Sequence, residues 1–208
     1  MITNVDLRIH RTAVLASVDV VSAVTIDDLS RPTPCAGWSL ADLLAHMTAQ
    51  HRGFAAAAGG RGADPAVWDP ATVADAVASD PVATYSAAAA DVIDAFACAD
   101  VLETTFALPD FGPGETFPGS VAISFHFVDY VVHGWDVART LGRPFELPGD
   151  VVAAVLPIAF VVPEGDFRTA ENAFFGPAVP STESVDDLDR ILAYLGRSPE
   201  WAPSAGDV

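Results

Sequence analysis

The sequence predicts an all-α protein: a four-helix bundle over residues 1–145, with a smaller, mostly helical C-terminal extension over 146–208 packing alongside. Three observations lead there. Apolar residues recur at helical spacing through long windows, strand-like alternation is almost absent, and Pro/Gly clusters cut the chain into stretches of helical length. Helices of about twenty residues are about 30 Å long, which suits a bundle with sites built between facing helices. No fixed period supports the alternative, an α-solenoid.

The first helix is expected over 5–24, with Leu7, Val14, Leu15, Val18 and Val21 at roughly helical spacing. The run "SRPTPCAGW" then forces a loop through its two prolines and glycine. Ser39 reads as an N-cap with Asp42 in the position of a capping-box acid. The second helix, 39–58, carries the stripe Leu40, Leu43, Leu44 and Met47 and is stopped by "GGRG". A third, alanine-rich helix is expected over 72–99, with Val77, Tyr85, Val92, Ile93 and Phe96 as its larger apolar members. The segment "LPDFGPGETFPG" reads as a long loop. The fourth helix runs over about 120–142 and ends ahead of Pro144. Two shorter helices, 149–161 and 184–195, flank the irregular stretch "VPEGDFRTAENAFFGPAVPSTES".

Composition narrows the function. With 208 residues, 51% hydrophobic, the chain is long enough for a sizeable core. Its net charge of -18 repels phosphate backbones and anionic headgroups, so nucleic acid and membrane surfaces are not expected partners. The N-terminus lacks the pattern of a signal peptide, and "VAISFHFVDYVVHGWDVA" is too polar to span a bilayer. Cys35 and Cys98 make no disulfide framework. A cytoplasmic protein acting on a small molecule is the expectation.

The stretch "HFVDYVVHGWDVA", residues 126–138, is the informative one. A buried helix excludes Asp unless the charge is paired or bound to a metal. Asp129 and His133 stand four apart, so they leave one face of the helix about 6 Å apart along its axis. Such a pair can converge on one divalent ion; it can equally be an ordinary ion pair on a half-exposed helix. His46, within or beside the apolar stripe of the second helix, is the natural third ligand. His51, nearly opposite His46 on the helical wheel and next to Arg52, reads as a solvated or rim residue.

"TPCAGWSLADLLAHMTAQHRGF" together with "FVDYVVHGWDVARTLGRP" resembles the metal-binding family typified by the N-terminal domain of mycothiol-dependent maleylpyruvate isomerase, within the wider DinB/YfiT-like superfamily. The ending "FGPAVPSTESVDDLDRILAYLGRSPEW" is similar to the tail of an actinobacterial branch. The resemblance implies a DinB-like four-helix bundle with His46, Asp129 and His133 as metal ligands. The isomerase pattern has Glu where this chain has Asp129, an arm shorter by one methylene.

Three protein ligands leave room for water or substrate. Two His and a carboxylate suit Zn²⁺ first, with Ni²⁺, Fe²⁺ or Mn²⁺ as alternatives. The resemblance adds a low-molecular-weight thiol such as mycothiol, hence an S-transferase or isomerase acting on a small electrophile. A metal-dependent hydrolase and a non-enzymatic ligand-binding protein are the competing readings. Around the ligands, His126 is a candidate acid/base group lining the cavity, against the plainer reading of a packed histidine. Asp136 either orients His133 or pairs with Arg139 or Arg143. Arg52 is a candidate for holding an anionic substrate or thiol carboxylate at the pocket mouth, or is simply a solvated charge. Trp38, Phe54 and Trp135 read as core or cavity wall, and an extended helical face would allow two chains to pair.

Overall fold

A computed structural model describes residues 5–169, 173–180 and 186–203, apart from the side chains of 166 and 167. The first two residues of the helix expected over 184–195, and parts of the irregular stretch before it, lie outside the described residues. Seven α-helices are described: α1 Leu7–Val21, α2 Leu40–Ala58, α3 Ala74–Ser79, α4 Pro81–Phe96, α5 Gly119–Thr140, α6 Gly149–Ala159 and α7 Asp187–Tyr194. The architecture is the expected mostly helical one. Helices α1, α2, α4 and α5 form the bundle, each packing on two of the others, while α6 leans on α1 and α5 and carries α7.

Each bundle helix starts for a local reason. Asp6 caps α1 by accepting from the backbone N–H of Arg8 at 2.8 Å. The capping box at α2 forms: Ser39 Oγ accepts from the Asp42 N–H, and Asp42 accepts from the Ser39 N–H. Helix α5 has no side-chain cap. Its first N–H groups instead donate to the carbonyls of Thr104 and Leu102, at 2.7 and 2.8 Å. That closeness requires glycine at 119, because a Cβ there would lie 1.9 Å from the Val101 carbonyl oxygen.

Two expectations are corrected. The single helix expected over 72–99 is two, α3 and α4, broken at Asp80. Proline at 81 disfavours helical backbone at Asp80, whose carboxylate turns to cap α4 through the Ala83 N–H at 3.0 Å. The segment expected to be wholly loop contains a short antiparallel hairpin, β1 Thr105–Ala107 with β2 Thr116–Pro118, Phe106 opposite Phe117. Its strands are only three residues long, too short to leave an alternating pattern.

The apolar interior crosses the boundary expected at 145. Val151 and Val155 of α6 and Ile191 and Leu192 of α7 belong to the same buried cluster as Phe127 and Val131 of α5. One contact shapes the wall of the later site. Gly53 on α2 lets the Trp68 ring lie directly on the helix, and Trp68 Nε1 is held by the Gly62 carbonyl at 2.8 Å. A Cβ at 53 would fall 2.2 Å from that ring. Gly53→Ala is therefore expected to lower stability by about 1–3 kcal/mol in urea unfolding, through overpacking against an anchored ring.

Candidate metal centre

Helix α5 sorts its polar residues onto two faces. Phe125, Val128, Asp129 and His133 line a cavity of about 710 Å³, while His126 and Tyr130 turn into the bundle interior. His46, from the facing helix α2, lines the same cavity. Its Nε2 stands 4.0 Å from Asp129 Oδ2, and His133 Nε2 stands 3.3 Å from Asp129 Oδ1. The three donor atoms lie within 4.8 Å of one another. A tetrahedral ion with bonds of about 2.1 Å needs donors about 3.4 Å apart. The Asp129–His133 spacing already meets this, and the remaining donor spacings, at most 4.8 Å, come down to it by side-chain shifts of about 1.4 Å or less. The donor set fits a divalent ion.

His133 is held from behind. Its Nδ1 donates to Asp136 Oδ2 at 2.9 Å, which turns Nε2 toward Asp129. Asp136 has no exposure at all and is gripped by Arg197, whose Nε and Nη2 donate to it at 3.2 and 3.0 Å. Burial opposes a charge on His133, but Asp129 and Asp136 together outweigh it and hold the imidazole up at about 10. His46 goes the other way. Burial pushes it down to about 4, with Asp129 opposing and the charges of His133 and Arg197 adding to the fall. Burial raises Asp129, yet the pull of His133, His46 and Arg197 keeps its carboxyl below the usual range. Trp38 flanks both imidazoles, 4.8 Å from His46 and 6.3 Å from His133 between ring centroids.

A second donor group, Cys35, His133 and Asp136, also converges. Its carboxylate is already occupied by the His133 Nδ1 proton and by Arg197. Metal binding there would strip a buried cation of its partner. The set of His46, Asp129 and His133 needs no such rupture, and it faces the cavity.

The other expected residues fall in different places. His126 does not line the cavity; it is buried in the bundle, with Nδ1 2.9 Å from His10 Nε2 and Nε2 3.1 Å from His51 Nδ1. His51, expected at a rim, is fully buried and stacks on Tyr130 at 3.9 Å. The wheel placed it opposite His46 correctly, but the opposite face is bundle interior rather than solvent. Arg52 is exposed and absent from the cavity wall. Arg139 does not pair with Asp136; it donates to the Pro199 carbonyl and lies over the Trp135 ring. Arg143 is exposed. Trp38 and Phe54 line the cavity, whereas Trp135 belongs to the core. Arg197, Phe111 and Gln50 were missed from sequence. Only Gln50, one turn beyond His46 on α2, left a local signal there.

The model of the mycothiol maleylpyruvate isomerase N-terminal domain matches residues 10–138, which include His46, Asp129 and His133. The chain belongs to that family. Two Mycobacterium tuberculosis proteins, named Uncharacterized protein Rv0738 and Uncharacterized protein MT0763, are each 30% identical to it over 192 residues. That alignment spans 92% of this chain and 97% of each relative. Two crystal structures of mycothiol-dependent maleylpyruvate isomerase, the enzyme and a single-site mutant, share its fold with TM-scores of 0.64 and 0.67. Both are 14% identical, with 97% of this chain and 92% of theirs covered. Among the described residues no helix is long and apolar enough to cross a membrane.

Two outcomes are expected. Zinc binding at about one ion per chain is lost in His46→Ala, Asp129→Ala and His133→Ala and weakened about 10–100-fold in Arg197→Met, but persists in His10→Ala and His51→Ala, by metal analysis after gel filtration. The second concerns the three interior imidazoles, which burial holds below their ordinary value of 6.5, His10 at about 3. As pH falls through 6.5 the unfolded chain takes up protons that the folded chain refuses, so stability drops. The raised group, His133, contributes a constant amount below 6.5 and loses it only as pH rises toward about 10. Urea unfolding between pH 6.5 and 4.5 should show each interior His adding a slope of up to about 1.4 kcal/mol per pH unit, and His10→Phe should reduce it.

Proposed function

We propose that this protein is a divalent-metal-dependent enzyme that activates a low-molecular-weight thiol, of the mycothiol type, toward a small electrophile in an S-transfer or isomerisation reaction. The observation that carries the reading is the set of three donors on one wall of a cavity of about 710 Å³, a volume that accommodates a small substrate. Family membership supports the thiol and the isomerase chemistry. The ligand set supports Zn²⁺ first, with Ni²⁺, Fe²⁺ or Mn²⁺ as alternatives.

An ion bound there supplies the Lewis acidity that lowers the pKa of a thiol near neutral pH. The protein's own groups do the rest. His46 and His133 fix the geometry from two helices, and Asp129 balances cationic charge at the wall. Asp136 retains the Nδ1 proton of His133, so that Nε2 is the nitrogen offered to the cavity. Trp38 covers the imidazoles on one side and limits water there. Cys35 and Cys98 are both free, in keeping with a reducing, cytoplasmic setting where small thiols accumulate.

The test is thiol consumption and cis–trans isomerisation by zinc-loaded protein, with mycothiol and simpler thiols against a panel of electrophiles that includes maleylpyruvate. Turnover is expected to require both metal and thiol and to fall at least about 100-fold in His133→Ala, which removes the ligand that Asp136 positions. Stoichiometric metal with no thiol-dependent turnover on any electrophile would refute the reaction.

A further inference from the structure

We infer that the cavity beside the three donors accepts an uncharged, apolar electrophile of aromatic size and rejects dianions, and that Phe111, Phe125 and Phe174 set this preference. The inference deepens the proposed function and rests on the same cavity. Its first support is a count of cations. The chain has ten basic residues, every one an arginine, and all ten lie among the described residues. None is on the cavity wall. Arg197 is spent on Asp136, Arg168 on the carbonyls of Val162, Pro163, Gly176 and Tyr194, and Arg139 on the Pro199 carbonyl. Arg8, Arg31 and Arg190 pair with Asp6, Asp28 and Asp187. Arg11, Arg52, Arg61 and Arg143 are exposed and away from the wall.

The polar groups on the wall away from the donors repel anions rather than hold them. Gln50 donates to Asp110 at 3.3 Å, and Asp110 brings a further negative charge. A carboxylate lodged there would lose water and gain no counter-ion, which is costly. An ion at the donors could answer one negative group. A dicarboxylate such as the maleylpyruvate named for the solved relatives would leave its other charge among phenyl rings.

The apolar wall favours an uncharged body. Phe125 precedes Asp129 by four residues on the same face of α5, so its ring adjoins the donors. Phe111 stacks on Phe125 at 5.0 Å and on Phe174 at 4.8 Å, both nearly parallel, extending the surface away from the donors. Phe111 and Phe174 keep 38% and 42% of their surface exposed, although each lines a concave site. Exposed rings gathered in a cavity mark the place of an apolar ligand. The reacting end of such a molecule would face His46, Asp129 and His133, with its apolar body against Phe125 and Phe111.

The experiment uses the full chain loaded with zinc and the neutral fluorophore N-phenyl-1-naphthylamine as the bound probe. Its displacement is compared for diethyl phthalate and phthalate, which share an aromatic ring and differ in charge. The ester is expected to displace the probe at a concentration at least about tenfold lower than the dianion. Phe111→Ala is expected to weaken probe binding about fivefold or more. Phe125→Arg, which adds the missing cation, is expected to narrow or reverse the ester preference, with circular dichroism reporting its folding. Phthalate competing as well as its ester, or Phe111→Ala binding the probe like wild type, would overturn the inference even if Phe125→Arg failed to fold. Displacement requires no turnover. An ester preference without thiol chemistry would therefore sink the proposed reaction alone.

Discussion

Burying the Asp136 carboxylate inside the bundle is the constraint on which the rest depends. A carboxylate with no exposure must be met by cations and hydrogen bonds, and this one is met from two directions, by His133 one turn behind it and by Arg197 from beyond α7. Replacing such a pair by apolar residues often costs nothing or even stabilises a fold. Stability alone therefore does not account for it. What the pair does is orient: it ties the chain after α7 to the bundle, and it turns His133 Nε2 toward Asp129.

From that point the chemistry of α5 divides. His133 lies between two carboxylates, whose negative charge outweighs burial and raises its imidazole. His126, seven residues earlier, has its ring against imidazoles, phenyl rings and Tyr130, and burial lowers its pKa. Three neutral rings can satisfy the hydrogen bonds of the His10–His126–His51 chain, since each bond needs one N–H and one bare nitrogen. One helix thus carries a polar seam inside the bundle and a donor face toward the cavity. Phe125 continues the donor face as an apolar wall.

Much of this was legible in the sequence because it is local. The Ser39–Asp42 capping box, the four-residue spacing of Asp129 and His133, and the stop at "GGRG" each depend on a few neighbours. The break at Asp80 was equally local, but the alanine run on both sides masked the Asp-Pro signal. Other features were not readable. His51 looked solvent-facing because Arg52 follows it, whereas its face of α2 meets α5 and α4 through Tyr130 and Tyr85. Arg197 reaches Asp136 across 61 residues, and no short-range pattern announces such a partner. The aromatic wall draws Phe111 from the hairpin loop and Phe174 from an irregular stretch, segments whose proximity only the fold creates.

In the proposed centre, imidazole, carboxylate and imidazole from two facing helices meet on one cation. X-ray absorption on the zinc-loaded protein reads that coordination shell. Two imidazole ligands are expected, with oxygen completing the shell and no sulfur. A sulfur scatterer at about 2.3 Å would move the ion to Cys35 and contradict it. So would a shell of oxygen alone, with no imidazole.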